Sequence, residues 1–358
     1  MKGYGLFFTC AIAILLIGCS DSVRSTHRSA DILDQYKDSV EGYGIVALCD
    51  DGQRLDTAAV GVSHPGVDLT VNNRFCIGSC TKMFTAVIVL QLQQEGLLKI
   101  DGRAVDFLPS HPYIDSAITI RQLLDHSSGL GEMLDNGFLN EPFTNPHGDF
   151  SDPVLFAHIG PPAFPPGSRS SYCNSNYFLL SEIVERITDR SFEANLNERI
   201  IGPLGLKNTF PYHARTIPGL AHPILAGEDL HELPKMAGTL VSKGSGNMVS
   251  DVQDLNRFIR ALLIDKTLLD EKSLAQMCSF DSTAKSSMGL GLFESEFAGR
   301  RLRGHTGRQV SYITYAFADQ KTGESFVMIN NNANDEIIDV AFERLVAVTT
   351  ADPGQETR

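Results

Sequence analysis

The sequence predicts an α+β fold: one antiparallel sheet built from both ends of the chain and flanked by helices, with a mostly helical domain inserted between. Three observations carry this. Strand-like segments occupy the first part of the chain and return after Met288. The stretch between them alternates helical segments with Pro- and Gly-rich loops. The helix that follows the first strands is apolar on nearly every side, as a helix packed in the middle of a molecule must be. With 358 residues the chain can form one large domain or two interlocked ones around an ample core.

The elements follow in order. Lys2 and the apolar run Leu6 to Ile17 read as a signal peptide, too short to span a bilayer as a mature helix. Polar residues from Ser20 to about Ala30 read as a tether. A helix is expected near Ala30 to Val40. The run Gly44 to Cys49 reads as a strand, Asp50-Asp51-Gly52 as a hairpin turn, and Leu55 to Gly61 as the returning strand. Thr81 to Glu95 is the apolar helix, closed by Gly96. Asn176 to Thr188, Phe192 to Ile201 and Asp251 to Leu263 are further helices, the last with Ser250 as N-cap. Strands are expected at Arg301 to Thr306, Ser311 to Phe317 and Glu324 to Asn330, then an amphipathic helix from Asp335 to Val348. The resulting division is a leader at 1–18, a tether at 19–30, an α/β domain from 31–78 and 245–352, and a helical domain at 79–244.

The net charge is −13 and basic residues do not cluster, which argues against nucleic acid as a partner. Beyond Cys10 and Cys19 there are five cysteines, Cys49, Cys76, Cys80, Cys173 and Cys278. An odd number leaves at least one outside any internal disulfide. The ten histidines show no metal-ligand spacing, and neither a metal nor another cofactor is implied.

Ser79-Cys80-Thr81-Lys82 opens the apolar helix. Residues three apart share a helix face, so the Ser hydroxyl and the Lys amine can meet. The helix N-terminus favours developing negative charge, and a desolvated Lys can lose its proton near neutral pH and serve as a base. A lysine entering a buried helix with no task would be costly. Tyr172-Cys173-Asn174 precedes a helix, and His305-Thr306-Gly307 ends a strand. Lys321-Thr322-Gly323 imitates the latter triplet but lies in a polar stretch between two strands and reads as a hairpin turn.

The ordered set S-x-x-K, Y-x-N, H-T-G resembles the serine β-lactamase and penicillin-binding-protein superfamily, in its class C branch, and looks most like class C-type serine DD-carboxypeptidases. Ile120 to Leu130, Gly202 to Leu206 and Met288 to Leu292 support it. The resemblance implies a β-lactamase/transpeptidase-like fold and a serine hydrolase working through an acyl-enzyme. Ser79 would attack, and Lys82 and Tyr172 would move its proton to the leaving amine. Asn174, His305, Thr306, Gly307 and Arg308 would bind substrate, with the N–H groups of Ser79 and Arg308 as the oxyanion hole. His305 stands in place of a Lys, which would make its charge depend on pH. Small peptide or ester substrates and β-lactams are the expected ligands, with a DD-carboxypeptidase or penicillin-binding protein foremost. An esterase, a D-amino-acid amidase, a β-lactamase and a non-enzymatic penicillin-binding lipoprotein are the alternatives.

Leu16-Ile17-Gly18-Cys19 resembles a bacterial lipobox and implies lipidation of Cys19, hence anchorage to a bacterial membrane facing the periplasm or the exterior. Glu141-Pro-Phe-Thr-Asn145 mimics a class A deacylation motif but precedes Tyr172 and reads as a loop. Two departures stand out. Phe293 and Glu294 follow Leu292 where related carboxypeptidases carry an Arg, and Arg308 directly follows the H-T-G triplet. Arg308 is therefore the expected clamp for a substrate carboxylate. Cys80 and Cys173, each inside a motif, are expected to lie close together, with a disulfide between them left open.

Overall fold

The computed structural model describes residues 28–134, 145, 148–212, 217–231, 243–280, 286–309 and 311–348. The leader, Cys19 and the Glu141-to-Thr144 stretch lie outside the described residues. The chain starts with α1 (Arg28–Asp34) and a 3-10 turn at Lys37–Ser39, which together divide the single helix expected near 30–40. β1 (Gly44–Asp50), β2 (Leu55–His64) and β3 (Val67–Asp68) follow. Near the other end run β9 (Ser286–Met288), β10 (Phe293–Phe297), β11 (Arg300–Gln309), β12 (Tyr312–Asp319) and β13 (Glu324–Asn330). Among the described residues these join in one eight-stranded sheet ordered β3-β2-β1-β13-β12-β11-β10-β9. β1 lies antiparallel to β13, with Ile45 opposite Asn330, so the two ends of the chain close the sheet together.

Side chains alternate across a strand, and β1 supplies both faces of the core. Ile45, Ala47 and Cys49 pack with α1 and with α9 (Asp335–Val348). Val46 and Leu48 pack into the larger core on the opposite face. That larger core holds α2 (Thr81–Gln94), which is buried from Thr81 to Leu90 and ends at Gly96 with φ +75°. Around it stand α3 (Ile120–Leu124), α4 (Asp152–Ala157), α5 (Asn174–Thr188), α6 (Phe192–Leu196), α7 (Val252–Leu263) and α8 (Glu271–Met277). α6 continues into a π turn at Asn197–Ile201. The N-cap of α7 is Asp251, whose carboxylate accepts from Asp254 N at 2.7 Å. Ser250, the expected cap, is drawn instead into β8 (Met248–Ser250), where its hydroxyl meets that of Thr209 at 2.8 Å.

The two look-alike triplets separate cleanly. Lys321-Thr322-Gly323 forms the β12–β13 turn, with Gly323 at φ +79° donating its N–H to Asp319 O at 2.8 Å. Thr322 accepts from Arg300 at 2.9 Å, in a buried cluster where Arg300 also binds Asp319 and Glu324, each at 2.6 Å. His305-Thr306-Gly307 lies within β11, which continues past the expected end to Gln309. β12 pairs with β11 through Gln309, whereas β10 pairs with it only from Arg300 to Gly304. Among the described residues, no strand pairs with the other edge of 305–309.

The Phe84 ring of α2 stacks on Phe258 of α7, with centroids 3.6 Å apart, and ties the inserted helices to the sheet. Truncation of two fully buried, stacked rings at this joint should be felt in the whole fold. Phe84→Ala should lower unfolding free energy by about 3–5 kcal/mol in urea titration. A loss below 1 kcal/mol, roughly the cost of a surface change, would show that α2 is not the joint between the layers.

Candidate active site

A short three-stranded sheet of β4 (Phe75–Cys76), β8 and β5 (Phe210–Pro211) carries the chain to Ser79. Ile77 N donates to Met248 O at 2.9 Å, and a 3-10 turn, Gly78–Cys80, then leads into α2. Gly78 has φ +50°, and a Cβ there would lie 2.5 Å from Arg308 O and 2.7 Å from Arg308 N. A Cβ on Gly307 would lie 2.0 Å from Ile77 O. Two glycines thus let the Ser79 turn and β11 touch backbone to backbone. This juxtaposes the stretches that hold the N–H groups of Ser79 and Arg308, as an oxyanion hole requires.

Lys82 is fully buried. Its Nζ lies 3.1 Å from Ser79 Oγ, 2.8 Å from Asn174 Oδ1 and 2.7 Å from Ser245 O. Burial lowers its pKa to about 7, against the weaker opposing pull of Glu132. The partners then dictate the direction of proton transfer. Asn174 Oδ1 and Ser245 O can only accept, so a neutral amine gives its two N–H bonds to them. Its lone pair is left facing Ser79 Oγ, where a base must stand to take the hydroxyl proton. The Tyr172 hydroxyl shares a hydrogen bond with Ser79, and burial of that end raises its pKa although the outer edge of the ring leaves the residue 39% exposed. The ring stacks on His126 at 4.5 Å and lies 6.2 Å from Phe293 and 6.1 Å from His305.

Asn174 is oriented by Glu132, a residue the motifs do not reveal. Glu132 Oε2 accepts from Asn174 N at 2.7 Å and from Asn174 Nδ2 at 3.2 Å, which turns Asn174 Oδ1 toward Lys82. Its other oxygen accepts from Leu134 N at 2.9 Å. The available signal was an acidic residue set among the apolar and small residues Gly129 to Met133. Ser245, which reaches Lys82 through its backbone carbonyl, carries no sequence signal of that kind. His126 sits at φ +59° with Nδ1 accepting from Cys173 N and Asn176 Nδ2, and burial, then the charge of Lys82, keeps its ring neutral under Tyr172.

Two expectations are corrected and one open point is answered. His305 does not change charge near neutral pH: burial, and next the charge of Lys82, push its pKa down to about 3. Its Nδ1–H is engaged by Thr306 O. Arg308 does not aim its guanidinium at the site. Along β11, His305 and Gly307 face Ser79, and strand alternation turns Thr306 and Arg308 to the α9 side. There Arg308 pairs with Asp335. Only its backbone reaches the Ser79 turn. Cys80 and Cys173 are free thiols, and so are the other three described cysteines. Cys80 Sγ donates to His305 O at 3.3 Å, whereas Cys173 Sγ faces the carbonyls of Leu130 and Gly131.

A serine at the N-terminus of a buried helix, a buried lysine of lowered pKa one turn on, a tyrosine across from both and strand β11 beside them form the site of a β-lactamase/transpeptidase-like fold. The chain belongs to the Beta-lactamase family, whose sequence profile matches residues 30–347. It is 33% identical over 228 residues to penicillin-binding protein 4 of Amycolatopsis lactamdurans, covering 59% of this chain and 57% of that one. It is 27% identical over 328 residues to a D-aminopeptidase of Cereibacter sphaeroides, covering 84% and 60%. The chain thus spans less than two thirds of these relatives' own length. Among solved structures, a D-stereospecific amidohydrolase from Streptomyces superposes with a TM-score of 0.77 at 26% identity, over 88% of this chain and 98% of that one. The D-amino acid amidase of Ochrobactrum anthropi shares the fold, with a TM-score of 0.79 at 22% identity over 91% and 99%.

Two outcomes follow. Acylation of Ser79 should rise with pH through a limb near 7, because Lys82 holds a proton below that pH and a free lone pair above it. Measurement of acylation rates from about pH 5 to about pH 9 checks this, and a limb near 10, the range of an unperturbed lysine, would remove Lys82 as the base. Gly307→Ala should cut the acylation rate by about 10²-fold or more by pushing β11 off the Ser79 turn. An alanine variant of near-normal rate would mean the backbone contact is not needed.

Proposed function

We propose that the protein is an acyl-enzyme hydrolase that cleaves the amide or peptide bond of a D-amino-acid substrate with a free α-amino group. The observation that carries this reading is Glu132, a carboxylate held beside Asn174 and close enough to Lys82 to influence its charge. A carboxylate has about four acceptor sites, of which three are used by Asn174 and Leu134, so one ammonium N–H can still be received. The leaving-group side has a different chemistry. Tyr172, which returns the proton there, is flanked by Phe293 and the neutral His305, both uncharged. A carboxylate on the leaving group, as a DD-carboxypeptidase substrate carries, would ask for a cation on that side. The cations brought by the motifs are spent: Lys82 on Ser79, Asn174 and Ser245, and Arg308 on Asp335. The D-aminopeptidase and D-stereospecific amidohydrolase relatives support the same class and the stereochemistry.

In this mechanism the lone pair of Lys82 takes the Ser79 proton as Oγ attacks the carbonyl. The backbone contact of Gly78 and Arg308 supplies the N–H groups for the oxyanion. Tyr172 hands its proton to the departing amine and regains one from Lys82, so the Ser79 proton ends on the leaving group; water then attacks the acyl carbon, and its proton passes back through these groups to Ser79 Oγ as the acid leaves. The reading also places the protein on a bacterial membrane through lipidated Cys19, as the Leu16-to-Cys19 stretch suggests. No helix among the described residues is long and apolar enough to cross a membrane.

The test is a pair of substrates, a D-amino-acid amide and its N-acetyl derivative. Glu132→Gln keeps an oxygen for Asn174 but removes the charge. It should lower kcat/KM on the free amine by roughly ten-fold or more, the scale of a charge-assisted hydrogen bond, and change the acetylated substrate little. An equal loss on both would reduce Glu132 to a support for Asn174. A wild-type preference for a free-carboxylate D-Ala-D-Ala peptide over the amide would return the assignment to a carboxypeptidase.

A further inference from the structure

The base at this site works only if its lone pair points at Ser79, and that direction is set by the carbonyl of Ser245, which takes one of the two remaining N–H bonds of Lys82. The carbonyl belongs to three consecutive residues, the first tied to α4 and α5 and the next two to α2. Lys243 Nζ reaches Asp152 of α4 at 2.6 Å and Glu182 and Glu185 of α5, each at 2.8 Å. Gly244 O accepts from Thr85 Oγ1 of α2 at 2.6 Å. Ser245 O accepts from Lys82. Gly244 is seated on α5 with φ +58°, where an added Cβ would lie 2.7 Å from both Ser181 Cβ and Tyr177 O. The strap therefore has little room to slide, and a shift of residue 243 would be passed to residue 245.

One ammonium faces three carboxylates, and its side chain is only 13% exposed. Burial pulls the Lys243 pKa down, but these charge-assisted bonds together outweigh it and raise the pKa, so the residue stays charged when Lys82 has lost its proton. The three carboxylates could themselves surround a metal ion, but the ammonium already occupies their centre.

We propose that Lys243, locked by Asp152, Glu182 and Glu185, is a positioning residue that holds the Ser245 carbonyl against Lys82 and so aims the lone pair of the base at Ser79. It touches neither substrate nor the reacting atoms and acts only through the strap. This rests on Lys82 being the base, as in the function proposed above, but not on which amide or peptide is cleaved.

The experiment follows Lys82 directly. In full-length protein with 13C-labelled lysine, the Lys82 side-chain resonance is titrated by NMR, assigned by its loss in Lys82→Arg. Lys243→Met keeps length and removes the charge. Once the carbonyl slackens, the ammonium form of Lys82 loses an acceptor, so its titration should move to lower pH by about half a unit or more. At about pH 8, where Lys82 is neutral in both proteins, acylation of Ser79 by a labelled penicillin or an activated D-amino-acid ester should fall by about ten-fold or more. Lys243→Arg should restore both. If Lys243→Met does not fold, Glu182→Gln with Glu185→Gln leaves Asp152 as the single partner and should shift the titration in the same direction by a smaller amount. A Lys82 titration that stays put while only melting temperature falls would make the cluster a structural tie and overturn the proposal. A wild-type Lys82 that titrates near 7 without any acylation of Ser79 would instead overturn the proposed function and leave the strap's effect on Lys82 measurable.

Discussion

The structure depends on keeping an amine buried with no carboxylate bonded to it. A buried ammonium without an ion partner is expensive, and the protein resolves this by letting Lys82 lose its proton near neutral pH while giving it three oxygen contacts. Much of the surrounding architecture serves that condition. α2 is apolar on all sides so that the amine is dry. Gly78 and Gly307 bring β11 close enough to close the site from the sheet side. Glu132 is near enough to limit the fall in pKa but spends its hydrogen bonds on backbone and amide groups.

The two imidazoles at the site serve the same condition. His126 and His305 both have depressed pKa values, chiefly from burial and next from the charge on Lys82. Each is locked by a hydrogen bond at Nδ1, His126 as acceptor and His305 as donor. A second positive charge so near Lys82 would drive its pKa down further. Two neutral rings beside Tyr172 instead supply packing and leave the phenol hydroxyl directed at Ser79. The position where the resemblance suggests a fixed cation is therefore occupied by an aromatic group that is uncharged at working pH.

The fold and the meeting of Ser79 with Lys82 were legible because each rests on a strong local pattern. Continuous apolar runs marked β1 and β13, and S-x-x-K before an apolar helix marked Ser79 and Lys82. The turn chemistry of Asp319 to Gly323 correctly separated the false triplet from the true one. What escaped was decided in three dimensions. Ser245 acts through its backbone, so its side chain announces nothing. Glu132 lies in a loop and gains meaning only when Asn174 arrives from another part of the chain. Asp251 outcompeted Ser250 as a cap because a neighbouring strand claimed the serine.

Arg308 shows how one step of register settles a question of chemistry. Read along the chain, it is the nearest cation to the H-T-G triplet and invites a carboxylate. In the sheet, its neighbours Gly307 and His305 already fix which parity faces Ser79, and position 308 has the other. Its guanidinium meets Asp335 at the start of α9, on the face that carries α1 rather than α2. The alternation thus removes a positive charge from the substrate side without any change in composition. With Lys82 neutral during attack and His305 uncharged, Glu132 is left as the charged side chain in contact with the motif residues on that side. The substrate proposed above, which brings its own positive charge to Asn174, matches that arrangement better than one that brings a carboxylate to β11.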